Sequence, residues 1–203
     1  VVWCAAAGNS TDAATHTYTG LSFGTPHPRR HILAGFWEAQ GGSNFNAPHT
    51  CTIGGVSASL VVQSGATGAE VQQVWIAPVP AGASGDIVVQ RAGTMISSGI
   101  IVWAAYDLVS ATAYDTDVGS FAHPATAAVD VPGGSLAIAF IKVGNAGVTV
   151  SWSGLAEDVD YSPDTGVRMS GASASKMAAQ FPLSISASNS GSLGGRVCAA
   201  SFV

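Results

Sequence analysis

A chain of 203 residues is long enough for one large all-β domain or two small ones. Only 9% of its residues are charged, against roughly a quarter in ordinary domains, so Ser, Thr, Asn, Gln and Gly must cover its surface. Seven basic residues within a net charge of −5 form no basic stripe for phosphates, and no apolar run approaches the ~18 residues of a spanning helix, so neither nucleic-acid binding nor membrane insertion is expected.

In chain order, residues 1–7 read as a strand and 8–12 as a turn rich in Gly, Asn and Ser. Residues 15–23 (THTYTGLSF) alternate Thr with larger side chains, as an edge strand does. The two prolines of 25–30 then break the ladder, and 31–40 (HILAGFWEAQ) resumes it with an uncertain register, because apolar residues fall on both faces. After a Gly/Ser/Asn loop at 41–48, residues 49–53 and 56–63 form a hairpin across Gly54-Gly55. A turn at 64–68 leads into a strand at 70–78, whose slip in alternation at Gln72-Gln73 suits a bulge. Residues 86–92 and 94–108 follow, the second apolar on both sides and therefore an inner strand. An irregular connection fills 110–124.

The most regular stretch is 126–155. Residues 126–131 are a short strand, Val131-Pro132-Gly133-Gly134 a tight turn, and 136–143 an apolar strand suited to burial on both faces. Val148, Val150 and Trp152 alternate with Thr149, Ser151 and Ser153, so this segment is expected to close a hairpin on 136–143 across Gly144-Asn145-Ala146-Gly147. An acidic loop, 156–166 (AEDVDYSPDTG), comes next, then strands at 167–177, 181–188 and 196–203. Strand-like runs spaced by about ten residues, with no amphipathic helical window, predict a single antiparallel β-sandwich over 1–203, jelly-roll-like in form. The chain starts Val1-Val2-Trp3 without an initiator Met, so either upstream residues were removed or this is a segment of a longer protein.

Cys4, Cys51 and Cys198 have neither a disulfide framework nor zinc spacing and read as small buried hydrophobes, with one disulfide plus a free thiol as the alternative. His27 and His31 are four apart but separated by a proline, which disfavours a helical metal pair, and no Ser sits in a G-x-S-x-G elbow. Glu38 and Glu70 are the only glutamates outside the acidic loop, too few to argue a glycosidase pair from sequence. No catalytic residue, cofactor or metal is therefore assigned. The carboxylates Glu157, Asp158, Asp160 and Asp164 could offer oxygens to Ca²⁺, but their spacing is not that of an EF-hand, and Asp115 and Asp117 are weaker candidates. Four of the five tryptophans lie in apolar strand runs and belong to a core. Tyr114 and Tyr161, beside carboxylates in expected loops, are the better exposed rings. A receptor-binding patch is thus expected at Tyr114, Asp158, Asp160, Tyr161 and Asp164, where a flat ring and acids could meet a sugar's apolar face and hydroxyls.

At DVPGGSLAIAF (130–140), WSGLAEDVDY (152–161) and RMSGASASKMA (168–178) the chain resembles a family of β-sandwich domains from tailed-bacteriophage virions, tail-associated, fibre-like or on the particle surface, with related sequences in prophages and gene-transfer particles. CTIGGVSASLVVQ (51–63), VWIAPVPAGASGDIVV (74–89) and RVCAASF (196–202) follow the same pattern and order, so the resemblance spans nearly the whole chain. It implies a virion-located structural protein, a tail fibre, spike or particle-surface component working in assembly or host adhesion, with other virion proteins as partners and no catalytic residues to carry over. A host-surface glycan and a homo-oligomer, a trimer above all, are the further partners expected. A free carbohydrate-binding module or glycan-active enzyme on a β-sandwich is the alternative.

Overall fold

The computed structural model describes residues 1–40, 49–64 and 70–203; the expected loop at 41–48 and most of the expected turn at 64–68 lie outside them. Every regular element among the described residues is a strand, and every pairing is antiparallel. The chain is an all-β, sandwich-like fold, as its turn spacing and alternation led us to expect.

The N-terminal strands are β1 (Val2–Asn9), β2 (Ala13–Ser22), β3 (Arg30–Gln40), β4 (His49–Ile53), β5 (Val56–Ser57), β6 (Ser59–Gln63), β7 (Glu70–Pro78) and β8 (Ser84–Tyr106). They form one sheet that doubles back on itself through β8. The first half of β8 pairs with β2 and β4, and its second half with β1 and β3. The two segments expected at 86–92 and 94–108 are thus one strand. Gly93 lies between its halves at φ +123°, a conformation that L side chains rarely adopt. The halves face each other across a core in which Tyr18, Ile53, Ile87 and Val89 meet Ile32, Phe36, Trp75, Ile100 and Val102. Gly54-Gly55 does turn a hairpin, but it is short: after Val56–Ser57 the chain leaves β4, and β6 pairs with β7 instead. The expected bulge in β7 lies on that neighbour, with a register shift between Leu60 and Val62, while β7 runs unbroken against β3.

The C-terminal strands are β9 (Asp115–Val118), β10 (Ala125–Val131), β11 (Leu136–Val143), β12 (Val150–Ser153), β13 (Ala156–Asp164), β14 (Val167–Ala174), β15 (Gln180–Asn189) and β16 (Gly195–Phe202). They build a five-stranded sheet in the order β13-β14-β11-β16-β9 and a three-stranded sheet in the order β10-β15-β12. This overturns the hairpin expected between 136–143 and 148–152. β11 pairs with β14 and β16, whereas β12 crosses to the facing sheet and pairs with β15. The turn residues reverse the chain as expected, but Val148 and Val150 serve the core between the two sheets rather than a shared ladder.

Two-residue periodicity explains the stacking of these layers. On β11, Leu136, Ile138 and Phe140 enter a core with Leu33, Trp37, Ile101 and Trp103 of the N-terminal strands, while Ala137, Ala139, Ile141 and Val143 enter a core with Val129, Leu183 and Ile185. β3 divides in the same way, Leu33 and Trp37 to one side and Ile32, Ala34 and Phe36 to the other. Four β layers therefore enclose three cores, and the strands apolar on both faces are those with a layer on each side. Close approach of the middle layers needs glycine. A Cβ on Gly35 would stand 2.9 Å from Phe140, and one on Gly171 2.7 Å from Trp103. All three cysteines are free. Cys51 and Cys198 are core residues whose thiols burial pushes up to about 12, and Cys4 is half-buried.

Candidate functional site

The acidic stretch 156–166 is not a loop. It is chiefly the strand β13, paired with β14 through Ala156↔Ser173 and Tyr161↔Met169. Its side chains are engaged within the fold. The Trp103 indole donates to Asp158 Oδ2 at 2.8 Å, and the Val150 amide donates to Asp160 Oδ2 at 3.1 Å, with Arg168 Nε 3.5 Å from the other oxygen. Burial raises the Asp160 carboxyl above the ordinary carboxylate value, against the lowering pull of that amide and of Arg168. The Tyr161 hydroxyl lies 3.0 Å from the carbonyls of both Ala7 and Ile100, and burial pushes its pKa well above that of an ordinary phenol. The exposure expected of Tyr161 is therefore corrected: its ring packs against the middle core. Asp164 accepts from the Thr165 amide at the strand's end. Tyr114 is exposed, at 52%, on a separate segment whose amide donates to the Ser201 carbonyl.

Asp115 and Asp117 fall on β9, inside the connection expected to be irregular. Their carboxylates accept from the amides of Asp130 and Ala128, both at 2.7 Å, and so cap the open edge of β10. Asp160 does the same for β12. Seams between the two C-terminal sheets are thus closed by carboxylates rather than by ladder bonds. Among the described residues no group of three or more His, Cys, Asp or Glu is placed to hold a metal.

Two buried polar networks lie in the N-terminal layers. Glu38 Oε1 receives Arg91 at 2.7 Å and Gln40 at 2.8 Å, and His49 Nε2 stands 3.1 Å from it. Gln73 joins this cluster to Trp75, whose indole donates to Gln73 Oε1 at 3.1 Å. In the second network the Ser98 hydroxyl contacts both Tyr18 and His16 Nδ1, and His16 Nε2 is 2.7 Å from the Thr11 carbonyl. With Nε2 carrying the proton, every polar atom of that chain is satisfied.

A cleft of about 560 Å³ opens where the middle layers meet. β7 contributes Glu70, Val71 and Gln72, β11 contributes Lys142, the β9–β10 connection contributes Phe121 and the β15–β16 connection Leu193. The Lys142 ammonium pairs with Glu70 and lies 5.2 Å from the centre of the Trp37 ring. Phe121 is 64% exposed, yet its position is fixed. Ala122 and Gly195 exchange two backbone bonds of 3.0 Å, and the Phe121 ring lies so close on Gly194 that a Cβ there would stand 2.9 Å from Cζ. Asn189, itself buried, organises the facing loop: its Nδ2 donates to the Leu193 carbonyl at 2.7 Å, and its Oδ1 accepts from the Leu193 amide at 3.0 Å. None of these residues belongs to the patch expected from sequence. They come from four distant segments, and the one local signal is an aromatic at 121 within a run that has no strand periodicity.

Fold and cleft together define an all-β, antiparallel stacked-sandwich protein with a preformed surface cleft. No protein-family model and no curated protein matches the chain. Among solved structures, an anti-sigma factor domain-containing protein from Clostridium clariflavum aligns over 90% of this chain and 77% of its own, at 8% identity and a TM-score of 0.24, a likeness too slight to carry an argument.

Proposed function

We propose that this chain is a structural component of a tailed-bacteriophage particle, a tail fibre, spike or particle-surface protein that serves assembly or adhesion to the host surface. The observation that carries the reading is the disposition of its few charges. Glu38 with Arg91, Arg30, Asp158 and Asp160 are each bonded within the fold, and with only 9% of the chain charged, uncharged groups cover most of the four-layer scaffold. Such a surface suits a part packed among copies and neighbours in a particle, since it sets up little electrostatic repulsion. The resemblance to phage β-sandwich domains over nearly the whole chain supports the same reading. It assigns the chain no catalysis.

The rival reading, a free carbohydrate-binding module or glycan-active enzyme, draws on the cleft beside Phe121. Immunogold electron microscopy of intact particles, with antibody against this chain, separates the two. Surface labelling is expected, and unlabelled particles alongside a labelled soluble fraction would overturn the virion assignment.

The same low charge supports self-association, with a homotrimer as the proposed assembly. Sedimentation should show a species of three chains at micromolar concentration, and a monomer at every concentration tested contradicts it. Receptor contact at Tyr114, Asp158, Asp160 and Asp164 belongs to the same proposal, whereas Tyr161, held against the middle core, drops out of it. Asp158 and Asp160 bond other elements, and a bond with Ser97 of β8 is the chief cause that draws Asp164 below the ordinary carboxylate value, so the alanine variant of exposed Tyr114 is the one that separates binding from folding.

A further inference from the structure

We infer that the cleft between the stacked sandwiches binds a saccharide, with the apolar face of one sugar ring laid on Phe121 and its hydroxyls held by Glu70 and Lys142. This inference rests on the adhesion half of the function proposed above and names its ligand. An exposed phenyl ring is costly unless something covers it, and chain entropy would ordinarily let it move. Here the fold fixes it, through the Ala122–Gly195 backbone pair on one side and the Asn189-centred loop on the other. An exposed ring lining a cleft on a fixed backbone is a preorganised stacking platform, and preorganisation is what gives a weakly interacting ligand useful affinity.

Glu70 and Lys142 supply the polar half of the lining. Glu70 is an acceptor and Lys142 a donor, held in contact with each other, and adjacent hydroxyls of a sugar ring need that combination. The ammonium is paired with Glu70 and rests over Trp37, the Glu70 side chain is 37% exposed, and Arg196 adds a second cation to the lining. Val71 and Leu193 add apolar surface at either side. A volume of about 560 Å³ lies within the ~300–1,000 Å³ range of small-ligand clefts and admits a mono- or disaccharide.

The test is ligand-observed NMR and calorimetry on the full chain, using glucose, galactose, mannose and N-acetylglucosamine, their disaccharides, and glucuronic acid as the charged probe. Saturable binding of at least one of these sugars is expected. Phe121→Ala should weaken it at least about tenfold, the worth of one stacking contact, with an unchanged melting temperature because the ring is exposed. Glu70→Gln should weaken it further, and Val109→Ala, at an exposed side chain outside the cleft, should leave it as it was. The inference is overturned if no sugar binds, if Phe121→Ala binds as wild type does, or if Val109→Ala abolishes binding. Loss of self-association in Phe121→Ala without any sugar binding would also overturn it, by making this face an interface between copies. The outcome is independent of particle labelling. A chain absent from particles that still binds sugar refutes the virion reading alone, and a labelled particle component that binds none refutes the cleft alone.

Discussion

Trp103→Ala is expected to lower the unfolding free energy by about 3–5 kcal/mol, the range for truncating a fully buried tryptophan. Trp103 is wholly buried at the centre of the middle core, where Gly35 and Gly171 leave room for its ring between β3 and β14. Truncation opens a cavity between the layers and also removes the indole donor from Asp158. For a chain of this length that corresponds to a fall in melting temperature of roughly 10 °C. Trp103→Phe keeps most of the ring and loses the bond, so its cost should be smaller, about 1–2 kcal/mol. Urea unfolding of both variants checks the order. A cost for Trp103→Ala below about 1 kcal/mol would mean that the N- and C-terminal layers do not share a packed core.

Arg30→Met should be comparably damaging, at about 3 kcal/mol or more. The Arg30 side chain is 1% exposed, and its guanidinium donates to four backbone carbonyls, those of Val79 (2.7 Å), Gly24 (3.1 Å), Ala81 (2.9 Å) and Gly82 (2.6 Å). It stitches the start of β3 to the segments after β2 and β7. Methionine fills the space but donates nothing, so several carbonyls lose their partner, at about 1–3 kcal/mol for each one left buried. Lysine keeps the charge on a stem that cannot reach four acceptors, and should fall between the two. Hydrogen exchange gives the local readout. The Phe23 and His27 amides, which donate to Ala83 and Pro80, should lose protection in Arg30→Met before the amides of β11 do. Equal protection in variant and wild type would contradict the role given to this side chain.

The inner strands were legible because burial on both faces leaves a plain mark: 136–143 and 100–105 are apolar at nearly every position, and each has a layer on either side. Partnership between strands was not legible. Gly144 to Gly147 dictate that the chain turns back, but the same residues serve a hairpin and a crossing to the facing sheet, and only the packing of Val148 and Val150 decides between them. The acidic stretch misled for a related reason. Carboxylates are poor strand formers by local propensity, yet Asp160 on β13 and Asp115 and Asp117 on β9 are stabilised by amides of another sheet's edge, distant in sequence. The cleft left the least trace, since Glu70, Phe121, Lys142 and Leu193 are joined only by the stacking of the layers.

Quantitative mass spectrometry of purified particles tests the central reading most directly. The account predicts peptides of this chain at a fixed copy number relative to the other particle proteins, unchanged by further rounds of density-gradient purification. Peptides that are absent, or that decline with each round, would contradict it.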